Sequence, residues 1–419
     1  MLKKLPLRWW IIALVTLGTI LNYLARSTLS VAAPTLKQEF SMTTEQYSWV
    51  VLAFQGSYTV MQSVAGSVID ALGTRLGFLV FAVGWGLANM AHGFASGWQS
   101  LAVFRGMLGA TEAAAIPAGT KTVSEWFPAR ERPLATGVFQ MGTSVGNMIA
   151  PPLVAFCILA WNWQAAFFVT GALSLCWAAL WWWGYRSPAQ HPRLTQAERA
   201  EIEAGRENNG EARPSSRKEV IRSRAFWGIA IPRFLSEPAW QTFNFFIPLY
   251  LVAVWKLDLK AIAVWSWLPF LAADFGSLAA GLLPAWLMKR GATMLASRKL
   301  TMTFGALCMV GPACIGLAGS PGVAIALFCV GGFAHQMLSG ALITLCSDVF
   351  EPKSVGTASG MAGSAAWIGG MLFTLLIGQS ADVLGYNPLF VALAVLDLMA
   401  AIVLWSLLRS PAPGSPRAA

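Results

Sequence analysis

The chain has 419 residues, of which 56% are hydrophobic and only 11% charged, and it carries a formal net charge of +10. Soluble domains hold about 25% charged residues, so this composition excludes a soluble globular protein and describes a polytopic membrane protein. Such an excess of Lys and Arg in a soluble chain would suggest nucleic acid; here the basic residues gather in short stretches between apolar runs, which excludes that partner.

A helix needs about 20 apolar residues to cross a bilayer, and twelve runs of that kind are expected along the chain. The first six are 9–35, 45–69, 76–96, 99–122, 134–158 and 163–185. Lys3, Lys4 and Arg8 precede the first run, which is too long for the apolar core of a cleavable signal peptide. Within it, "NYLAR" sets Asn22 and Arg26 four residues apart on one helical face, with Tyr23, three before Arg26, flanking it and no acid nearby in sequence. A lone Arg in a membrane span costs about 2.5–3.5 kcal/mol on insertion scales, so a compensating anion is expected, and a guanidinium matches a carboxylate in a two-pronged fork. The second run carries Gln55, Tyr58 and Gln62 at similar spacing, and the turn after it reads "GSVIDALGTRLG", with Asp70 and Arg75 as candidates for conformational gating. The fourth run holds Arg105 and Glu112, seven residues and about 10 Å apart along one face. Glu112 is the expected proton carrier: burial favours its neutral form and a neighbouring Arg opposes that. Gln140, Thr143, Ser144 and Asn147 lie in the fifth run.

Residues 186–224 form the one long polar stretch and read as a linker, with "LTQAERAEIEAG" as a short surface helix capped by Thr195 and stopped at Gly205. The second six runs are 225–253, 261–288, 300–319, 321–346, 356–381 and 386–409, followed by a tail, 410–419. They carry Arg233 and Glu237, Asp274, His335 and Gln336, and Asp397. The stretch 281–300 echoes the first Gly-and-basic turn, with Ala285 where an acid would be expected. Cys157, Cys176, Cys308, Cys314, Cys329 and Cys346 all fall in apolar runs without a CxxC pair and read as packing residues.

If the N-terminus is cytoplasmic, only Lys37, Lys256 and Lys260 fall on the periplasmic side, and Arg26, Arg105 and Arg233 lie within spans. The positive-inside rule therefore sets both termini in the cytoplasm. Six helices, a basic linker and six more describe a duplicated transporter: an N-terminal half 1–185, a linker 186–224, a C-terminal half 225–409 and a tail. Proteins of this kind bind substrate near the midplane between the halves. No Walker, dinucleotide or HExxH motif is present, so neither ATP-driven transport nor an enzyme is expected, and no cofactor or metal is implied.

These residues resemble the major facilitator superfamily, and within it the anion:cation symporter branch. "GSVIDALGTRLG" is similar to the family's loop 2–3 motif, with Ala71 and Leu76 in place of its usual basic residues. "RGMLGATEAAAIPAGTKTVSEWFPARERPLATGVF", from Arg105, resembles the branch's helix 4 signature. Stretches from Trp161, Pro232 and Gly332 resemble its hexuronate members. The resemblance implies an all-α, twelve-helix protein of a bacterial inner membrane, a monomer, that takes up glucuronate or galacturonate with protons by alternating access. It implies that Arg26, with Tyr23 and Tyr58, lies at the substrate and that Glu112 with Arg105 belongs to the coupling machinery; the polar residues of the spans add Gln55, Gln140, His335 and Gln336 as expected substrate contacts. The branch reads Asn-Tyr-x-Asp-Arg in helix 1, so Ala25 stands where an aspartate is expected, and impaired coupling is expected of this chain. Two readings of Ala25 follow: a substitution introduced to block coupling, or a natural facilitator or exchanger. A transporter of galactonate or glucarate, or a sugar-acid sensor that does not transport, would use the same polar set.

Overall fold

A computed structural model describes residues 6–128, 131–204, 217–350 and 352–408. Among them every regular element is a helix. In chain order these are α1 (Leu7–Glu39), α2 (Thr44–Ala91), α3 (Trp98–Glu112), α4 (Ala115–Trp126), α5 (Arg132–Ala160), α6 (Trp163–Gly184) and the short α7 (Gln196–Ala204) and α8 (Arg217–Arg222). Then come α9 (Arg224–Trp255), α10 (Leu259–Trp265), α11 (Leu268–Lys289), α12 (Met294–Cys308), α13 (Val310–Ala313), α14 (Pro321–Val349), α15 (Pro352–Leu384) and α16 (Asn387–Leu407). Nine stretches of the described residues are long and apolar enough to cross a membrane. The other three expected runs, 45–69, 99–122 and 225–253, are also helical. They carry Gln55 and Gln62, Arg105 and Glu112, and Arg233 and Glu237.

Proline decides where several helices break. It lacks an N–H and its ring crowds the carbonyl four residues back. Thus the expected run 99–122 is two helices, α3 and α4, parted at Ala113 by Pro117; α10 and α11 part next to Trp265 through Pro269; and α12 ends at Cys308 through Pro312. The separation expected between 69 and 76 shrinks to one residue, Gly73, whose φ of 77° and ψ of 155° interrupt an otherwise continuous α2. That backbone conformation is open to glycine and strained for any other residue.

By its contacts the chain falls into two units, Met1–Glu211 with Pro248–Trp267, and Ala212–Ile247 with Leu268–Ala419. Inside the first, α1 packs along α5 and α6, and α2 along α3 and α6. Inside the second, α11 packs along α14 and α12, and α12 along α14 and α16. Within a bilayer small residues let helix backbones approach. A Cβ on Gly146 of α5 would stand 2.5 Å from the Ile20 carbonyl oxygen and 2.8 Å from Tyr23 Cβ of α1. The second unit repeats the device, with Gly369 of α15 pressed on the carbonyl of Phe234 of α9.

The linker helix α7 forms with Thr195 accepting the Glu198 N–H at 3.2 Å, the expected cap; Gly205 lies outside the described residues. Its carboxylates meet the start of α1. Glu198 accepts the backbone N–H groups of Leu7 and Arg8 at 3.2 and 3.1 Å, two donors that a helix N-terminus leaves unpaired. The Arg8 side chain spans Glu131 at 3.0 Å and Glu201 at 2.9 Å.

Candidate functional site in the first unit

Arg26 sits about 28 Å along α1 by helical rise, deep in the span, and it is only 6% exposed. An unpaired charge there would cost several kcal/mol. The sequence holds no acid close to it, but the fold supplies one: Arg26 Nε donates to Glu112 Oε2 at 2.9 Å, and Glu112 is wholly buried. The compensating anion expected beside Arg26 is thus supplied by the protein itself, and the Arg that meets the Glu112 carboxyl is Arg26 rather than Arg105. The physical reason is the distance between Arg105 and Glu112 on one helix, two full turns, while α1 crosses beside the end of α3.

Aromatic rings enclose the rest of the guanidinium. Its Cζ lies 4.3 Å from the Tyr23 ring centre, 4.7 Å from that of Tyr58 and 5.1 Å from that of Phe54. Tyr58 and Phe54 are one turn apart on α2 and stack at 5.6 Å. Each cation–ring contact is worth about 2 kcal/mol when desolvated. The Arg105 guanidinium lies 4.6 Å from the Phe54 ring centre, and its Nη2 donates to the Arg26 carbonyl at 2.8 Å. Phe54 therefore touches both arginines. Sequence reasoning misses it because it is apolar; its position four residues before Tyr58 is the available signal.

Glu112 is the last residue of α3, so the Pro117 break falls directly after the carboxyl. Asn22 turns its amide toward the Glu112 carbonyl at 3.5 Å, a long contact, and Ser27 donates to Asn147 Oδ1 at 2.6 Å, tying α1 to α5. Arg26 Nη2 and Glu112 Oε1 are both buried and make no hydrogen bond among the described residues. The pair thus keeps one strong donor and one strong acceptor uncommitted. A guanidinium with a spare N–H can take an incoming carboxylate, and a carboxyl with a spare oxygen can take a proton.

The remaining predicted residues are distributed as follows. Gln55 is fully buried beside Phe54, and Ala25 is fully buried beside Arg26. Gln140 is exposed on α5. The side chain of Asp70 lies outside the described residues. Arg75 lies 4.0 Å over the Trp182 ring and donates to the Trp182 carbonyl in the last turn of α6, while Trp181 Nε1 donates to the Arg75 carbonyl at 3.0 Å. Arg75 therefore caps a helix end inside its own unit. His335 and Gln336 belong to α14 of the second unit, His335 buried and Gln336 half-buried. There Glu237 accepts from Gln241 at 2.9 Å, and neither oxygen of buried Asp397 is hydrogen-bonded among the described residues.

The family model of the Major Facilitator Superfamily matches residues 15–297 and 295–419. The chain belongs to the Major Facilitator Superfamily. Among curated relatives of this superfamily protein, the hexuronate transporter of Escherichia coli (strain K12) is 50% identical over 98% of the chain and 96% of its own length. The galacturonate transporter of Dickeya chrysanthemi is 48% identical over 78% of the chain and 96% of its own length. A solved bacterial homolog of the human lysosomal transporter Spinster matches with a TM-score of 0.77 at 17% identity, over 96% of this chain and 97% of that one. That likeness establishes the fold alone, and it agrees with the all-α, multi-pass membrane architecture.

Proposed function

We propose that this superfamily member is a sugar-acid transporter that moves hexuronates, galacturonate and glucuronate, across a bacterial inner membrane with both termini in the cytoplasm. The observation that carries the reading is the Arg26–Glu112 pair, ringed by Tyr23, Tyr58 and Phe54, with Nη2 of the Arg uncommitted. The names and identities of the two sugar-acid relatives support the substrate class.

The substrate carboxylate binds Arg26 and competes there with the Glu112 carboxylate. Two carboxylates on one guanidinium repel; at about 5 Å and an effective dielectric of about 20 the cost is about 3 kcal/mol. Protonation of Glu112 removes that repulsion and frees Nε, so substrate and proton bind together; this is one of two proton-linked steps, and the second belongs to the acid expected at position 25. Arg105, fixed to the Arg26 carbonyl, holds α3 against α1 while this exchange occurs. Tyr23, Gln55 and Tyr58 supply partners for the substrate hydroxyls, Gln140 adds a polar contact, and Asp70 and Arg75 act in gating. The protein works as a monomer. With Ala25 in place of an acid, uphill coupling is impaired and exchange persists.

Uptake of labelled galacturonate and glucuronate into liposomes tests this, for the chain and for Ala25→Asp in parallel, with an inward proton gradient and as counterflow. The expected result is counterflow by both and uphill accumulation by the aspartate form alone. Accumulation by the alanine form would show that Glu112 suffices, and absence of counterflow with either sugar acid refutes the substrate assignment.

A further inference from the structure

Residues 185–195 lead from the end of α6 to the linker helix α7, in the polar stretch outside the expected spans. This strap closes on itself. The Gln190 N–H donates to the Ser187 carbonyl at 2.9 Å and the Leu194 N–H to the His191 carbonyl at 3.3 Å. Arg199 of α7 reaches back to the carbonyls of Pro188 and Ala189 at 3.3 and 3.4 Å. At the start of the strap, the Tyr185 hydroxyl donates to Glu125 of α4 at 2.5 Å, and Thr74 of α2 donates to the same carboxylate at 2.7 Å.

His191 lies inside the strap, only 8% exposed. Its ring packs on Trp126, the last residue of α4, with ring centres 5.6 Å apart and planes at 80°. Its Nδ1 accepts the backbone N–H of Arg193 at 3.2 Å. A ring nitrogen accepts only while it carries no proton, so this contact selects the neutral imidazole. An imidazolium would set a second N–H against that of Arg193. Burial holds the ring below its ordinary value near 6.5; the Arg193 and Arg186 guanidiniums act in the same direction, and the Gly184 carbonyl and Glu198 oppose it.

We propose that His191 is an acid-sensitive pin: the neutral ring fastens the strap and α7 to the first unit, and protonation releases them. Release withdraws Glu198 from the N–H groups of Leu7 and Arg8, and Glu201 from the Arg8 side chain. The sign follows from linkage. A histidine that takes a proton less readily when pinned than when free loses the pin as the pH falls. The loss begins near 6.5, the ordinary value of a free His, and the pin is complete above it. From pH 7.5 to 5.5 the released state gains up to about tenfold. With the linker in the cytoplasm, as proposed above, the pin reads the compartment into which protons are delivered with the sugar acid. That role rests on the transport reading; the release itself does not, and its test needs no transport.

The test is amide hydrogen exchange on the purified full chain between pH 7.5 and 5.5, with exchange times scaled for the intrinsic amide rate at each pH. The reporters are the peptide containing Arg193 and the peptide containing Leu7 and Arg8. In the parent, protection of both is expected to fall about five- to tenfold over this range. His191→Asn places an oxygen acceptor where Nδ1 stands and takes no proton, so its protection stays level. His191→Ala removes the acceptor and leaves the Arg193 peptide poorly protected at every pH. His191→Gln replaces the Asn variant if that one fails to fold. Protection that stays flat in the parent overturns the pin. So does an equal loss in the parent and in His191→Asn, which would assign the acid response to other groups, such as Glu198 and Glu201.

Discussion

Replacing Glu112 by Gln is the sharpest test of the carboxylate competition. Gln keeps the shape and one acceptor oxygen, so the 2.9 Å contact with Arg26 Nε can survive as a neutral hydrogen bond. What disappears is the charge. A second anion arriving at Arg26 then escapes a repulsion of about 3 kcal/mol, taking carboxylates about 5 Å apart in an effective dielectric of about 20. At about 1.4 kcal/mol per tenfold this is an upper bound of about a hundredfold, and tightening of galacturonate binding by about tenfold or more is expected. Calorimetric titration of the purified chain and of Glu112→Gln with galacturonate reads it directly. Lowering the pH should tighten the parent's binding as Glu112 takes up a proton, while the variant's affinity stays level so long as the sugar acid remains ionised. The sign follows from the competitor: the neutral carboxyl gives up its claim on the guanidinium. Unchanged or weaker binding by Glu112→Gln, with a folded protein, refutes the competition. If the variant cannot be purified folded, the pH titration of the parent takes its place, and an affinity that stays flat as the pH falls refutes the competition equally.

Three further outcomes are expected. Gly146→Val forces a side chain into the contact with Ile20 and Tyr23; overpacking of this kind costs about 1–3 kcal/mol, seen as a lower Tm together with weaker sugar-acid binding as Tyr23 is displaced. Arg8→Met removes the cation shared by Glu131 and Glu201 beside Glu198; limited proteolysis should cut 186–204 faster, with stability reduced by about 1–3 kcal/mol, the range for a charged hydrogen-bonded group, and high salt should mimic the variant in part. Arg26→Lys keeps the charge and loses the planar fork; galacturonate affinity should fall at least about tenfold, matching the loss of one charge-assisted hydrogen bond, and a retained affinity would exclude fork recognition.

Much of this protein is determined by its sequence alone, because bilayer physics is strict. Long apolar runs have to be helices, so the membrane class and the helical spans are readable from Leu7 to Leu407 without coordinates. Intramembrane charges are costly, so Arg26, Arg105 and Glu112 announce themselves as candidates. Pro117 and Gly73 are local devices whose effects, a broken helix and a sharp reversal, depend on backbone geometry near them; both residues are visible in the sequence, yet hydropathy runs unbroken across Pro117 and hides the break. Tertiary structure decided the partnerships. Arg26 and Glu112 are 86 residues apart and their pairing depends on α1 crossing the end of α3. Helical spacing along one chain segment points to Arg105 for Glu112 because it reports only neighbours on the same face. Phe54 stays hidden for a related reason. An aromatic residue in a membrane helix is unremarkable in sequence, and its role appears only when a guanidinium from another helix is laid against its ring.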